Sequence, residues 1–470
     1  SAKGTITVTD VSASGNLENS GISLVNTGGM GNVVLKSSNT SLMMNFDDNR
    51  WNGIRIETNG SVIVSNVNVR RNGPLGQSGI YIDNRDGDLV NTPKPVSLTR
   101  AEIHFNGGSG LNLFSEGLVT LTDVSVSDNG TRNAGDDGTY ISTLGSVTIK
   151  TSSVSRFAEF SCNPAVGLRI IANGTVTLAN LIANDNGFID GLGTHGIVVD
   201  NRAAAGNVVV TNVSASRNGQ AGIGDGLYIY HEVPGLGGTV TVKSSSPSAY
   251  YAFDDNSGYG LSIQSRGAVT VSNIITQLGN GYSGIFIDNQ TLPNNRPISV
   301  ARVILEDNTE SGLLVEANGA VTLENIETLG NGMQGAVVDA CWFDGSSECQ
   351  AKGIVTLKGL RNVFSENSGS GLEITAGGNV VLANFTAENN NGGVSVTNDI
   401  GVSTGNVMFS ASGSLLNVVK GNGINGGMSV VSNGAISIAR VLAEGNGLYG
   451  IQLNNYDSPL KAGITVNNVA

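Results

Sequence analysis

Few residues in this sequence have the side chains that catalyse reactions or bind catalytic metals. Histidine occurs only at His104, His195 and His231, and no two of them show a metal-binding spacing such as His-Glu-x-x-His. We interpret all three as surface or corner residues. Two stretches match Gly-x-Gly-x-x-Gly, at 191–196 and 421–426, but neither precedes the helical pattern that a nucleotide-phosphate site requires. The sequence therefore predicts no catalytic residue and no required cofactor.

Three carboxylates occupy matching positions in consecutive repeats, at Asp288, Glu316 and Asp339. If the repeats stack in register, neighbouring carboxylates stand on the order of 5 Å apart on one outward face. Like charges at that spacing repel, so either their pKa values rise or a cation bridges them. Calcium suits such oxygen-only clusters because its coordination is flexible. We predict that any metal site lies here; the alternative is a solvated acidic strip screened by salt.

Aromatic residues recur at the outward position of a short strand of form Gly-φ-x-φ, where φ is an apolar residue. They are Tyr81, Tyr140, Tyr228 and Phe286. In register they form an intermittent stripe, and exposed apolar rows often mark a binding face for a glycan or a neighbouring chain. The alternative is that they stack on their neighbours in the sheet and bind nothing.

Two of the three cysteines lie close together in ACWFDGSSECQ. Cys341 and Cys349 can close a small loop if the geometry allows, and we predict a disulfide there and hence an oxidising compartment. The alternative is two reduced thiols. Cys162 has no evident partner and is interpreted as buried, although a free thiol is an open alternative.

The elements that position these residues come from an internal repeat. GSVIVSNVNVRRNG at 60–73 has close counterparts such as GTVTLANLIANDNG at 174–187 and GAVTLENIETLGNG at 319–332. Glycine is abundant (66 residues), proline is scarce (9), and charged residues make up 13 %, a composition typical of strands and turns. Apolar residues recur at every second position and show no sustained 3.6-residue period, which indicates strands and almost no helix.

Stacked repeats of this length predict one architecture. We expect an all-β chain, a single right-handed parallel β-helix solenoid of about 17 coils, continuous over residues 1–470. A propeller is excluded because its blades need roughly 40–45 residues each. We also expect the chain to be a segment of a longer protein without terminal caps.

Asparagines recur at two turns of the repeat, the first in most coils and the second in six of them. We expect them to tolerate left-handed backbone and to form hydrogen-bonded ladders from coil to coil. The first column comprises Asn16, Asn49, Asn72, Asn106, Asn129, Asn186, Asn218, Asn256, Asn280, Asn308, Asn331, Asn367, Asn422 and Asn446. The second comprises Asn66, Asn180, Asn212, Asn273, Asn325 and Asn384.

Over essentially its whole length, this pattern resembles the right-handed parallel β-helix proteins of the pectate-lyase-like superfamily, of the bacterial surface and adhesin-like kind. The resemblance implies action on carbohydrates or a role at the cell surface, since the superfamily includes polysaccharide lyases, glycoside hydrolases, uronate epimerases, phage tailspikes and adhesins. Polygalacturonase-like hydrolases carry Asn-Thr-Asp, Asp-Asp, Gly-His-Gly and Arg-Ile-Lys in order. This chain has Thr194-His195-Gly196 and several Asp-Asp pairs but lacks the other motifs. That departure argues against a hydrolase of that kind.

The net charge of −13 disfavours nucleic acid as a partner, and no apolar run is long enough to insert into a membrane. We therefore expect an extracellular or cell-surface structural or adhesive module that presents its repetitive surface and loops to a glycan or a neighbouring protein chain. The alternative is a polysaccharide-acting enzyme (lyase, hydrolase or epimerase) or a carbohydrate-binding β-helix. No cofactor is expected beyond the predicted calcium.

Overall fold

A computed structural model of the protein describes most of the chain. The described residues are 3–74, 76–85, 93–130, 136–153, 155–188, 194–202, 206–232, 238–246, 251–290, 295–341, 349, 353–399, 404–455 and 462–469. They form two compact units, Ser1–Thr239 (the first unit) and Val240–Ala470 (the second unit). The prediction of one uninterrupted solenoid domain is not tested by this division and stays a prediction.

In the first unit, parallel strands form two sheets, and the described residues contain no helix. The strands of its first sheet are β1 (Ile6–Thr9), β3 (Val33–Lys36), β4 (Met44–Asp47), β6 (Val62–Arg70), β8 (Val96–His104), β10 (Val119–Ser127), β12 (Val147–Lys150), β13 (Ala158–Ser161), β15 (Val176–Ile182) and β17 (Val208–Ser214). Those of its second sheet are β2 (Ile22–Asn26), β5 (Ile54–Thr58), β7 (Ile80–Asn84), β9 (Leu111–Ser115), β11 (Thr139–Thr143), β14 (Leu168–Ala172), β16 (Ile197–Asp200) and β18 (Leu227–His231).

The second unit has the same organisation. The strands of its first sheet are β19 (Val240–Lys243), β20 (Tyr251–Ala252), β22 (Val269–Thr276), β24 (Ile298–Glu306), β26 (Val321–Leu329), β28 (Val355–Lys358), β29 (Asn362–Ser365), β31 (Val380–Ala383), β32 (Phe385–Glu388), β34 (Val407–Ser410), β35 (Asn417–Lys420), β37 (Ile436–Glu444) and β39 (Ile464–Val469). Those of its second sheet are β21 (Leu261–Ser265), β23 (Ile285–Asn289), β25 (Leu313–Ala317), β27 (Ala336–Ala340), β30 (Ser370–Ala376), β33 (Gly392–Asn398), β36 (Met428–Ser432) and β38 (Ile451–Asn454).

Within each unit, each repeat contributes one coil, and equivalent strands of successive coils pair in parallel. Ile80, for example, is the register partner of Ile54 on one side and of Leu111 on the other. All three side chains are fully buried. Apolar residues at alternate positions therefore line a continuous core within each unit, which confirms the predicted all-β solenoid and its parallel stacking.

The long strands of the first sheet bend in the middle. In β6, Val62 and Val64 point inward, and so do Val67 and Val69, although a period of two would turn the second pair outward. The bend is at Asn66, whose φ is +57°. One residue with positive φ thus shifts the inward–outward alternation of side chains by one position. Each coil therefore has two inward-facing segments within one continuous stretch of sequence.

The first asparagine column forms the predicted ladder. The backbone N–H and the side-chain Nδ2 of Asn106 both donate to Oδ1 of Asn129, at 3.1 and 2.8 Å. The backbone N–H of Asn129 in turn donates to Oδ1 of Asn163, at 3.1 Å. Asn163 and Asn390 occupy ladder positions that the sequence analysis did not include. These buried amides satisfy turn groups that would otherwise be costly to bury.

The prediction that the ladder asparagines themselves adopt left-handed backbone is wrong for the first column. The left-handed residue is the one before each asparagine, as at Asp48, Phe105 and Cys162, where φ lies between 56° and 58°. The ladder residue needs a backbone that aims its amide at the next coil, so the preceding residue makes the turn. The second column does behave as predicted, because its six asparagines all have positive φ.

Candidate functional site

The outward face of the second sheet carries most of the chemically distinctive residues of the first unit. Tyr81, Asn112, Tyr140, Arg169, Val198 and Tyr228 stand in register on consecutive strands from β7 to β18. The predicted column therefore exists within this unit. Arg169 and Val198 separate Tyr140 from Tyr228, so the stripe is divided into groups.

The first aromatic group joins Tyr81 and Tyr140 through a residue that the sequence analysis missed. Phe114 on β9 has its ring centroid 5.9 Å from that of Tyr81 and 5.7 Å from that of Tyr140. The guanidinium carbon of Arg85 lies 4.6 Å from the centre of the Phe114 ring, within cation–π distance. Phe114 lies two residues beyond the outward position of its own strand, and the next outward column could have revealed it.

Two adjoining clefts open beside this group. One, of about 330 Å³, is lined by Trp51, Asn52, Arg55, Gly76, Gln77, Ser78, Tyr81, Asn112 and Asp136. The other, of about 300 Å³, is lined by Ser109, Asn112, Phe114, Asp136, Asp137 and Tyr140. They share Asn112 and Asp136. We call the two together the β7–β11 cleft.

The acidic residues of the cleft differ in their environments. Burial and the neighbouring charge of Asp137 raise the pKa of Asp136 to about 6. Asp137 forms an ion pair with Arg169, with Oδ2 and Nε 2.6 Å apart, and accepts a hydrogen bond from the backbone N–H of Val166 at 3.2 Å. The charge of Asp137 is therefore neutralised by Arg169, and Asp136 exchanges its proton near neutral pH.

A second aromatic group surrounds Tyr228. His195 stacks on Tyr228 with ring centroids 5.5 Å apart, and Tyr230 follows at 6.3 Å from Tyr228. The guanidinium carbon of Arg202 lies 4.3 Å from the centre of the Tyr230 ring. Burial and the charge of Arg169 lower the pKa of His195 to about 4, and its Nδ1 accepts a hydrogen bond from the backbone N–H of Asp225 at 2.9 Å. His195 is thus a neutral, packed side chain.

The other two histidines also take part in packing. His231 is the last residue of β18 and is fully buried, with Nε2 2.8 Å from the carbonyl oxygen of Gly206, so it is a corner residue and not a surface residue. Nδ1 of His104 lies 2.7 Å from Oγ of Ser127 on the neighbouring strand.

The fourth predicted aromatic residue, Phe286, lies in the second unit. It stacks on Tyr259 at 5.0 Å, and Tyr259 also contacts Tyr282 at 5.2 Å. In this third group, Phe286 on β23 and two tyrosines from the preceding turns pack on each other, as the alternative interpretation of the stripe expects.

The three predicted metal ligands lie in register on β23, β25 and β27, so the sequence places Asp288, Glu316 and Asp339 on neighbouring strands correctly. Burial, and for Glu316 also the charges of its two neighbours, raises the pKa of Glu316 and Asp339. Asp339 accepts a hydrogen bond from the backbone N–H of Cys341 at 3.0 Å. Within the described residues no three His, Cys, Asp or Glu side chains converge as metal ligands, and calcium binding stays a prediction.

Cys341 follows this acidic row directly, two residues after Asp339. The structure joins Cys341 and Cys349 by a disulfide, with Cα atoms 5.2 Å apart, while residues 342–348 lie outside the described part. Cys162 is a free thiol at a left-handed corner and is partly exposed, so its interpretation as a buried residue is wrong. Burial and nearby carboxylates raise its thiol pKa.

A larger cleft, of about 510 Å³, lies at the corner of the first coils. It is lined by Asn16, Leu17, Asp48, Asn49, Arg50, Arg71 and Pro74. Its ladder asparagines bond to each other, Asp48 and Arg71 form an ion pair at 2.7 Å, and Arg50 donates to the carbonyl oxygen of Leu17 at 3.4 Å. We favour the β7–β11 cleft because it combines aromatic rings with the exchangeable proton of Asp136 and a buried oxygen of Asn112 that has no hydrogen-bond partner within the described residues.

The comparisons agree with this architecture. The family model described as "Right handed beta helix region" matches residues 52–231 and 250–409. No curated protein and no solved structure matches the chain significantly. No helix in the described residues is long and apolar enough to span a membrane. The match covers well over half of the sequence, and the chain belongs to the right-handed β-helix family.

Proposed function

We propose that this member of the right-handed β-helix family is an extracellular or cell-surface structural and adhesive module that binds a glycan through its second-sheet face. The observation that carries the proposal is the β7–β11 cleft, where Tyr81, Phe114 and Tyr140 flank polar side chains. Ligand sites typically combine aromatic surface with a few placed polar groups. Aromatic rings cover the apolar faces of sugar rings while polar groups bind the hydroxyls at the edges.

The extracellular assignment rests on separate support. The pairing of Cys341 with Cys349 fits an oxidising compartment. The low content of charged residues and the acidic balance fit neither nucleic acid nor an anionic membrane as a partner. A neighbouring surface-protein chain is a further partner that the same exposed face could bind.

The test is a glycan screen with the wild type and with single variants of the cleft. We expect at least one glycan to bind, and Tyr81→Ala and Tyr140→Ala each to weaken that binding about tenfold or more, as loss of an aromatic anchor does. Tyr282→Ala, in the third aromatic group of the second unit, is the matched control and should bind like the wild type. Absence of binding across the screen, or an equal loss in all three variants, would contradict the proposal.

One observation favours the second candidate, a polysaccharide-acting enzyme. Asp136, with a pKa of about 6, could exchange a proton at neutral pH, and Asp137 and Arg169 stand beside it. Incubation of the protein with the bound glycan, followed by product analysis, separates the candidates. Intact glycan is the expected result; shortened or unsaturated oligosaccharides that disappear with Asp136→Asn would favour the enzyme.

A further inference from the structure

The arginines around the β7–β11 cleft are neutralised by carboxylates of the same face. Each guanidinium lies within 2.7 Å of a carboxylate oxygen, in the pairs Arg55–Glu57, Arg85–Asp83 and Arg169–Asp137. Arg85 is also held against the ring of Phe114. An anionic sugar that entered the cleft would have to displace a protein carboxylate from its arginine, and the displaced charge would remain beside it.

The charge that is left in the cleft is negative. Asp136 lines both parts of the cleft, and no ion pair involves it within the described residues. The neighbouring carboxylate of Asp137 already raises its pKa, so an additional ligand carboxylate at this point would be repelled. Charge therefore works against uronic-acid chains and sulfated chains in this cleft.

The polar groups that remain suit hydroxyls. Oδ1 of Asn112 is buried and has no hydrogen-bond partner within the described part of the chain. A buried acceptor without a donor costs about 1–3 kcal/mol, which a ligand that brings a donor can recover. The χ2 torsion of asparagine is broad, so the amide can turn toward such a ligand without leaving its rotamer. A sugar hydroxyl both donates and accepts, and it can bond to Asn112 and to either protonation state of Asp136.

We infer that the β7–β11 cleft selects a neutral, hydroxyl-rich glycan over uronic-acid or sulfated chains, with Asn112 and Asp136 as the residues that determine this specificity. The inference rests on the proposed glycan-binding function and narrows its ligand class. The two parts of the cleft adjoin, so a short chain of neutral sugars can contact Tyr81 in one part and Tyr140 in the other.

The test compares neutral hexasaccharides of glucose, mannose and xylose with hexagalacturonate, by calorimetric titration at neutral pH and low salt, where charge effects are strongest. We expect a neutral chain to bind at least about tenfold more tightly than the uronate. Asn112→Ala should weaken neutral binding about tenfold. Asn112→Ser keeps a hydroxyl and should lose less, and melting temperatures no lower than that of the wild type establish that both variants fold. Asp136→Asn should raise the affinity for the uronate.

The outcomes distinguish a failure of the proposed specificity from a failure of the proposed glycan binding. Tighter binding of hexagalacturonate, or wild-type neutral binding by Asn112→Ala, would overturn the specificity while leaving glycan binding in place. Binding of neither class, when the wider glycan screen also finds nothing, would overturn the proposed function itself.

Discussion

The smallest stabilising unit of this protein is the inward-facing aliphatic side chain. Val64 is fully buried between its register partners Leu35 and Leu98, and Val176 and Leu323 are buried in the same way in other coils. Val64→Asp should lower the free energy of unfolding by several kcal/mol, because it buries a charge without a partner. Urea unfolding of the variant measures the change.

The adjacent residue supplies the control for that experiment. Ile63 lies on the same strand but is 45 % exposed, so Ile63→Asp should change the free energy of unfolding by less than about 1 kcal/mol. Equal effects of the two substitutions would show that the inward and outward positions are assigned wrongly.

Asp136 gives the stability a pH dependence whose sign follows from its pKa. Its pKa rises from 3.8 to about 6 on folding because of burial and the charge of Asp137; Arg169 pairs with Asp137, and Arg55 lines the same cleft as Asp136. The folded state then binds the proton more tightly than the unfolded state. Its contribution to stability is present below about pH 4 and is lost as the pH rises toward 6.

The measurement is the melting temperature of the wild type and of Asp136→Asn between pH 4 and pH 7, the range that spans the two pKa values. The wild type should lose stability relative to the variant as the pH rises, with most of the difference appearing below pH 7. Parallel curves would mean that Asp136 titrates normally. The sequence could not have predicted this shift, because it depends on how deeply folding buries one of two adjacent aspartates.

At the scale of elements, the corner ladder fixes how one coil sits on the next. Oδ1 of Asn129 accepts two bonds from Asn106, and its Nδ2 donates to the carbonyl oxygens of Ile103 and Ser127, both at 2.9 Å. Asn129→Ala leaves these groups unpaired and should cost a few kcal/mol, since each unsatisfied buried group costs about 1–3 kcal/mol. Thermal unfolding gives the readout.

An exposed asparagine provides the comparison. Within the described residues, the side chain of Asn45 on β4 makes one bond, accepted by its Oδ1 from Nδ2 of Asn68 at 3.0 Å, and Asn45→Ala should be close to neutral. If the two variants melt alike, the ladder is a by-product of stacking and does not stabilise it.

The calcium prediction concerns the acidic row on the neighbouring strands β23, β25 and β27. Asp288 and Asp339 each use Oδ1 to accept a backbone N–H, from Gln290 at 2.8 Å and from Cys341 at 3.0 Å, which leaves fewer oxygens for a cation. We therefore expect calcium to raise the melting temperature of metal-stripped protein only slightly, and only at millimolar concentration. Replacing the three carboxylates by Asn or Gln should abolish the rise; a rise that persists, or none at all, would remove the site.

Strands and their pairing were predictable from the sequence, because the alternation of Val, Ile and Leu repeats in every coil. The bends were predictable only where an asparagine makes them: Arg100 and Asp123 make the same left-handed turn as Asn66, so no single residue type signals it. The first corner was misassigned by one residue for the same reason. Only the stacked backbone determines which residue adopts positive φ.

For the molecule as a whole, the repeat predicts the family and says little about the ligand. Tyr81 and Tyr140 could be identified because they occupy the repeated outward position. Phe114 could have been found in the next outward column. The roles of Asp136 and Asn112 could not be identified, since they arise from neighbours on other coils. Function in such proteins therefore lies in departures from the repeat, on a scaffold that the repeat itself determines.

A crystal structure of the protein with a bound neutral hexasaccharide tests the central claim most directly. The account predicts sugar density across the β7–β11 cleft, with rings against Tyr81, Phe114 or Tyr140 and a hydroxyl bonded to Asn112. Sugar density confined to the corner cleft beside Asp48 and Arg71, or to the third aromatic group around Phe286, would contradict it.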